Sequence, residues 1–166
     1  MRGIGRLLAV LTAGMVASMV VAAVAAVSAK RRLVPLDDPE ADDVRLVAIF
    51  DELAFRSTAS SFRGGTVDCW YGGGAMDLRG ATLDPGGATL QLRTIFGGGE
   101  IVVPDSWRVV NDVVVIAGGI SDERPEIDRP ADAPELRLEG VAVFGGFGIT
   151  SELPARAEQA MFQSPA

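Results

Sequence analysis

The stretch LRTIFGGGEIVVPDSWRVV, from Leu92 to Val110, decides the fold. A run of β-prone residues enters the three glycines Gly97–Gly99, and a second run leaves them as Ile101–Val103. Pro104 ends this second run before Trp107 begins a third. Glycine accepts backbone angles that side chains forbid, and proline cannot donate a hydrogen bond within a central strand. The stretch therefore predicts a strand, a sharp bend, a second strand and a stop.

The same bend recurs along the chain, each time directly after a β-prone run. The bends begin at Phe50, Tyr71, Phe96, Ala117 and Phe144, at intervals of 21, 25, 21 and 27 residues. Periods of this size are typical of solenoids, because a short strand cannot bury its apolar face alone and stacked copies can. We therefore expect a mainly β fold over residues 44–150, a single-stranded β-solenoid or β-helix-like stack of short strands with each copy on its neighbour.

Alternation within the strands predicts which side chains face the core. Inward positions in one strand would be Leu90, Leu92, Thr94 and Phe96, because successive side chains of a strand point to opposite faces. The two ends of such a stack need covering. The first bend has Asp51-Glu52 in place of two glycines and predicts the amino-terminal cap. Residues 151–166 predict a carboxy-terminal cap or tail.

The amino terminus, residues 1–32, predicts a membrane anchor with basic flanks. The 23 residues from Leu7 to Ala29 carry no charge, and as a helix they span roughly 34 Å, against about 30 Å for a bilayer core. A signal peptide cleaved after Val27-Ser28-Ala29 is the alternative, but signal cores run about 7–15 residues. The length favours a single-pass helix in the cell membrane. Basic residues flank both ends, and the tighter cluster Lys30-Arg31-Arg32 favours a cytoplasmic body.

The rest of the chain is acidic and contains no histidine. Beyond residue 32 there are 10 basic and 22 acidic residues, which argues against nucleic acid because phosphate binding needs clustered Lys or Arg. Residues 33–43 hold two prolines and five acids and predict an extended linker. These acids lack the glycine turn and ligand spacing of a calcium loop. A second acidic, proline-rich segment, residues 121–135, predicts a loop insertion, either a solvated excursion or a partner-docking loop.

The sequence gives no catalytic, cofactor-binding or metal-binding residue to name. Without histidine the commonest general base and metal ligand are missing. The single Cys69 has no partner for a disulfide and favours a buried structural thiol over a nucleophile. The glycine runs Gly72–Gly74 and Gly97–Gly99 lack the Gly-Lys-Ser/Thr step of a phosphate loop. Asp122 and Glu123 could serve glycoside hydrolysis only if two carboxylates faced each other across a cleft. Their position in the proline-rich loop argues against that role.

The aromatic residues near the bends allow two interpretations. They are Trp70, Tyr71, Phe96, Trp107 and Phe144. One interpretation is a ladder on which sugar rings stack, and the other is an aromatic stack inside the solenoid. Their recurrence at equivalent positions favours the interior stack.

The bends also resemble those of a known family. The segments Tyr71–Ala81, Phe96–Val109 and Phe144–Gly146 resemble the aromatic-Gly-Gly and Val-Pro-x-x-Trp steps of the carboxy-terminal domain of LiaF-like, cell-wall-active-antibiotic-response proteins of bacterial membranes. The resemblance covers about Val44 to Thr150. It implies a regulatory or sensing module in the cell-envelope stress response, acting through a partner such as a histidine kinase. It implies no catalytic residues.

Three functions remain open from the sequence. The first is a non-enzymatic, membrane-anchored regulatory or sensing module that acts by contact with a membrane histidine kinase or another membrane protein. The second is a homo-oligomeric scaffold in which exposed end coils pair between molecules. The third is an envelope glycan binder or enzyme, which the missing histidine disfavours.

Overall fold

The computed structural model describes residues 35–153 continuously, together with single helical positions at Val21, Val24, Ser28, Ala155 and Glu158. The chain divides into two compact units, Met1–Val34 and Pro35–Ala166. Among the described residues no helix is long and apolar enough to cross a membrane. The predicted span from Leu7 to Ala29 lies outside the described residues apart from three of those single positions, so it stays a prediction.

The second unit is built from short strands, as the sequence predicts. They are β1 (Asp43–Ile49), β2 (Glu52–Arg56), β3 (Gly64–Trp70), β4 (Gly73–Asp77), β5 (Ala88–Ile95), β6 (Gly98–Val102), β7 (Arg108–Val115), β8 (Gly118–Asp122), β9 (Glu135–Val143) and β10 (Gly145–Thr150). They form two sheets of five strands with all neighbours parallel. The first sheet holds the odd-numbered strands and the second the even-numbered ones. This mainly β arrangement of stacked parallel strands is compatible with a solenoid.

Each odd strand turns into the following even strand at a bend, and the bends lie above one another. Four of them place an aromatic residue in the left-handed region, with φ between 51° and 54°, at Phe50, Tyr71, Phe96 and Phe144. The amide of each of the first three donates to a carbonyl of the adjacent coil, at 2.9–3.0 Å. Glycines follow the bends because neighbouring backbone leaves no room for a side chain. A Cβ on Gly98 would lie 1.7 Å from the carbonyl oxygen of Gly146.

The order of the coils in space differs from their order in the chain. The first sheet runs β1-β3-β5-β9-β7 and the second β2-β4-β6-β10-β8, so the last pair of strands lies between the third and fourth pairs. Side-chain chemistry gives the reason. Leu136 and Leu138 on β9 are fully buried, as an interior strand requires. Asn111 and Asp112 in the middle of β7 are exposed, which suits an edge strand.

The core lies between the two sheets. On β5 the inward positions Leu90, Leu92 and Thr94 are buried, as the alternation predicts. The prediction that Phe96 continues this inward series is wrong, since its side chain is 49% exposed. The cause is its positive φ, because a residue in the left-handed region breaks the regular alternation of an extended strand.

Candidate interaction surfaces

The four aromatic residues of the bends form a continuous external stack, here called the aromatic ridge. Ring centroids are 5.0 Å apart for Phe50 and Tyr71, 5.3 Å for Tyr71 and Phe96, and 4.8 Å for Phe96 and Phe144. The rings lie within 15° of parallel. Their side chains are 39–55% exposed. The ridge is therefore a surface feature that runs across four coils.

The ridge corrects the predicted interior aromatic stack. Tyr71, Phe96 and Phe144 do stack, but on the outside, and they stack with Phe50 rather than with a tryptophan. Trp107 is buried and belongs to the core. Because the exposed rings face one another, their faces are largely occupied and their edges meet solvent. Sugars stack on ring faces, so this geometry offers little to a glycan along the length of the ridge.

A patch of aliphatic side chains adjoins the ridge on the outer face of the first sheet. With two ridge residues it forms the outer apolar patch, which consists of Ile95, Phe96, Val114, Ile116, Val141 and Phe144. Val141 and Val114 are register partners on β9 and β7, and Val143 follows two residues later beside Ile95. Val114 and Ile116 are 61% and 67% exposed. Contiguous exposed apolar residues on a parallel sheet mark an interaction surface, since such sheets normally have both faces covered.

One end of the stack has no covering strand or loop among the described residues 35–153. The last strands of the two sheets are β7 and β8, and we call this edge the open end. A Cβ placed on Gly119 would meet nothing within 4 Å, whereas a Cβ on Gly118 or Gly146 would meet backbone oxygen at 1.9 Å or less. Side chains that point into the core here, at Val109, Val113 and Ile120, are only partly buried. Within the part of the chain that the structure describes, the core is therefore less covered at this end.

The opposite end carries a cover. The linker residue Leu36 forms an antiparallel bridge with Arg45 on β1, through hydrogen bonds of 2.9 and 2.8 Å. These bonds use main-chain groups of β1 that face away from β3, because the side of β1 toward β3 is already paired. The predicted linker, residues 33–43, thus includes a piece of ordered structure. We call this edge the covered end.

The acidic segment 121–135 contains the last residues of β8, a loop, and the first residue of β9. Arginines hold the loop in place. The buried Arg124 donates to the carbonyls of Trp107 (2.9 Å) and Pro104 (3.3 Å), and Arg129 donates to the carbonyl of Asp105 at 2.7 Å. With residues 83–87 the loop lines a polar groove of about 560 Å³ that includes Arg108. A solvated loop and a docking loop both remain compatible with this arrangement.

Most arginines of residues 35–153 lie in ion pairs with acidic side chains. Asp77 is buried and accepts from Arg79 (2.9 Å) and Arg56 (3.2 Å). Burial alone would raise the pKa of Asp77, but hydrogen bonds from Arg79 and the charges of both arginines outweigh it and lower the pKa. Asp68 is buried and lies 2.7 Å from Arg93. In residues 35–153 no group of three or more acids and cysteines is placed to hold a metal ion.

The cysteine and the glycine runs have structural roles. Burial, with a smaller effect of Asp68, raises the pKa of the Cys69 thiol to about 12, which confirms the buried thiol and leaves almost no thiolate at neutral pH. Amides of the glycine runs donate within the stack, Gly73 to the carbonyl of Asp51 and Gly98 to that of Gly72. They are therefore not free to cradle a phosphate.

Sequence reasoning missed the outer apolar patch, and it did not say which end coil is exposed. The sequence signal for the open end is Ala117, because the other four bends begin with an aromatic residue. In the structure, a Cβ on Gly119, two residues later, would meet nothing within 4 Å. The sequence signal for the outer apolar patch is Val114, Ile116 and Val141, which alternate with inward residues.

No protein-family model matches the chain, and neither the curated proteins nor the solved structures contain a match.

Proposed function

We propose that this protein is a non-enzymatic, membrane-anchored β-solenoid that acts as a regulatory or sensing module by contact with another protein. The observation that carries the proposal is the outer apolar patch with the adjoining aromatic ridge. Soluble domains rarely expose contiguous apolar surface of this kind unless a partner covers it. Aromatic residues are also enriched where proteins meet.

The membrane part of the proposal rests on the uncharged run from Leu7 to Ala29. Only five residues separate its end from Pro35, and even fully extended they reach roughly 17 Å. A helix in the bilayer would therefore keep the β unit close to the membrane, where a membrane protein is the nearest available partner. The resemblance to LiaF-like proteins supports a histidine kinase as that partner. The basic cluster at residues 30–32 favours a cytoplasmic β unit.

A non-enzymatic role is supported by the state of the reactive groups. The thiol of Cys69 is buried with a raised pKa, and Asp68, Asp77 and Asp122 each bind an arginine side chain. Groups committed to ion pairs inside the fold are poor candidates for acid–base catalysis.

The test is photo-crosslinking of the full chain in membranes. A photoreactive phenylalanine analogue at Ile116 is expected to capture a partner protein in a discrete band. The same analogue at Thr89, which is exposed on β5 outside the patch, is the matched control. Capture at both positions alike, or at neither, would contradict a partner docked on the patch.

A second candidate function is a self-assembling scaffold at the membrane. The open end favours it, because exposed strand edges pair with other strands. A glycan-binding role receives less support, since the ring faces of the ridge are turned toward each other. Retention of the protein on cell-wall glycans, lost on Tyr71→Ala, would revive that role.

A further inference from the structure

The open end presents the main-chain groups of two strands at once. On β7, the amides of Arg108 and Ile116 donate toward the β9 side, so the odd-numbered residues direct their N–H and C=O groups away from the sheet. On β8, the amide of Glu123 donates to the carbonyl of Ile149 in β10, so the even-numbered residues point outward. A row of alternating donors and acceptors is complementary to another β-strand.

The core between the two edges is exposed together with them. Val109 and Ile120 are partly buried, while their register partners in the adjacent coil, Leu136 and Phe147, are 0% and 4% exposed. Whatever covers this end must therefore supply two strands and an apolar layer between them.

We propose that a second copy of this chain covers the open end and forms a two-fold dimer. Another copy presents the same two strands at the same separation, with the same apolar side chains between them. A single extended peptide would pair with only one of the edges. Acids near the edges do not oppose the pairing strongly, because Asp112 is bound by Arg137 and Asp122 by Arg124 within each copy.

The assembly closes at two copies because the ends differ. Head-to-tail stacking would bring the open end of one copy onto β1 of the next, where Leu36 already occupies the edge. Pairing of two open ends is isologous, and isologous contacts generate closed dimers rather than filaments. Leu36, near the start of the second unit, bridges β1, and β1 lies at the far edge from β7 in the sheet order.

The two-fold axis and the side chains in the middle of β7 together favour one register of the pairing. Two copies of β7 related by a two-fold axis run antiparallel, and outward-directed odd residues must lie opposite odd residues. Centring the pair on Asp112 would place two carboxylates directly opposite each other, which is unfavourable. Centring it on Asn111 places the two Asn111 side chains opposite each other, and their amides can hydrogen-bond to each other. In the single copy the Asn111 side chain instead accepts from the amide of Val113 at 3.1 Å.

Disulfide trapping of the full chain in detergent micelles tests this register. Residues opposite each other in a hydrogen-bonded antiparallel pair have Cα atoms about 5.5 Å apart, within disulfide range. Asn111→Cys is therefore expected to yield a covalent dimer under mild oxidation for most of the protein. Glu52→Cys, at the covered end, and Gln91→Cys, in the middle of the first sheet, are expected to yield only background dimer. The buried Cys69 does not interfere.

A pair of lysine variants tests the apolar contact without relying on a disulfide. Val113→Lys places a charge on the inward face that the dimer buries, and it is expected to raise the dimer dissociation constant at least about tenfold. Val114→Lys, its neighbour on the exposed face, is expected to leave that constant unchanged. The mass of the complex would be followed by multi-angle light scattering over a range of concentrations, and melting curves would show that both variants fold.

Several results would overturn the proposal. Filaments of indefinite size, equal trapping at the open and covered ends, or dimers that Val113→Lys leaves intact would each contradict it. A monomer at every concentration whose β7 amides resist hydrogen exchange would assign the open end to residues 154–166 of the same chain. If the analogue at Ile116 captured no partner protein, that result would contradict the proposed function and would not bear on the dimer.

Discussion

Phe96 and Phe144 stack with ring centroids 4.8 Å apart and planes 4° from parallel, although β7 and β8 lie between them in the sequence. Their contact joins the third coil directly to the last one. The register of β5 against β9 continues it, with Ile95 beside Val143. The order of the rings in the ridge thus follows the spatial order of the coils. Four of the five bends contribute a ring to it.

We expect a ridge residue with two stacked neighbours to contribute more to stability than a residue with one. Among the described residues, Phe96 stacks with two rings and Phe144 with one. An aromatic pair contributes about 0.5–1.5 kcal/mol beyond its buried area, so Phe96→Ala is expected to lower the free energy of unfolding by about that much more than Phe144→Ala. Urea denaturation of the two variants measures the difference. Equal losses would show that the rings act independently.

Glycines of the bends differ sharply in their tolerance of a side chain. Gly98 has φ of 149°, and a Cβ there would overlap backbone oxygen of the adjacent coil. Gly98→Ala is therefore expected to destabilise the fold by more than about 3 kcal/mol. Gly119→Ala, at the open end, is the matched control and is expected to change stability by less than about 0.5 kcal/mol. Similar thermal melts for both variants would contradict the tight stacking.

Acid is expected to weaken the fold through Asp77. Burial opposes ionisation of this carboxyl, but the hydrogen bonds and charges of Arg79 and Arg56 hold its pKa below the ordinary value. A lowered folded-state pKa stabilises the fold above the unfolded pKa of about 4, and the contribution is lost as pH falls through the folded value. Asp77→Asn should lose about 1–3 kcal/mol at neutral pH. It should also flatten the decline in stability below about pH 4.

A variant of Arg79, the arginine that binds Asp77, provides a control for this prediction. Arg79→Gln removes the main partner of Asp77 without touching the carboxyl itself. If the ion pair is responsible, both variants flatten the same part of the stability curve. An unchanged curve in Arg79→Gln would assign the acid sensitivity to other carboxylates.

Cys69 is expected to be inert in the native protein. Its thiol is fully buried, and its pKa of about 12 leaves little thiolate at pH 8. Iodoacetamide should therefore label it at pH 8 only after a denaturant unfolds the chain. Rapid labelling of folded protein, measured by intact mass, would show that this part of the core opens frequently.

The sequence predicts the repeating elements well because glycine and strand chemistry are local. The bends at Tyr71, Phe96 and Phe144 and the inward series of β5 follow from backbone sterics and alternation. Two features depend on longer-range effects. The outward direction of Phe96 follows from a left-handed backbone conformation that bulky residues rarely adopt. The position of β9 inside the sheet follows from competition between the two β-prone strands β7 and β9. One of them lies beside β5, and the other becomes the edge strand.

That competition can still be recognised afterwards in the residues. Asn111 and Asp112 in mid-strand make β7 the better edge, while Leu136 and Leu138 need the interior. The candidate surfaces were harder to predict, because an open end and an outer patch exist only once the order of strands is known. Val114 and Ile116 are exposed, but from the sequence of their strand alone they would be assigned to the core.

The most direct test of this account is disulfide trapping between neighbouring strands in the full chain. Gln91 on β5 is the register partner of Glu139 on β9, and Glu139 in turn is the partner of Asp112 on β7. The structure predicts that Gln91→Cys with Glu139→Cys forms an intramolecular disulfide, since adjacent strands lie about 4.8 Å apart. It predicts that Gln91→Cys with Asp112→Cys does not, because about 9.6 Å separates them across two strand spacings. A disulfide in the second pair and none in the first would show coils stacked in chain order and contradict the inserted β9 and β10.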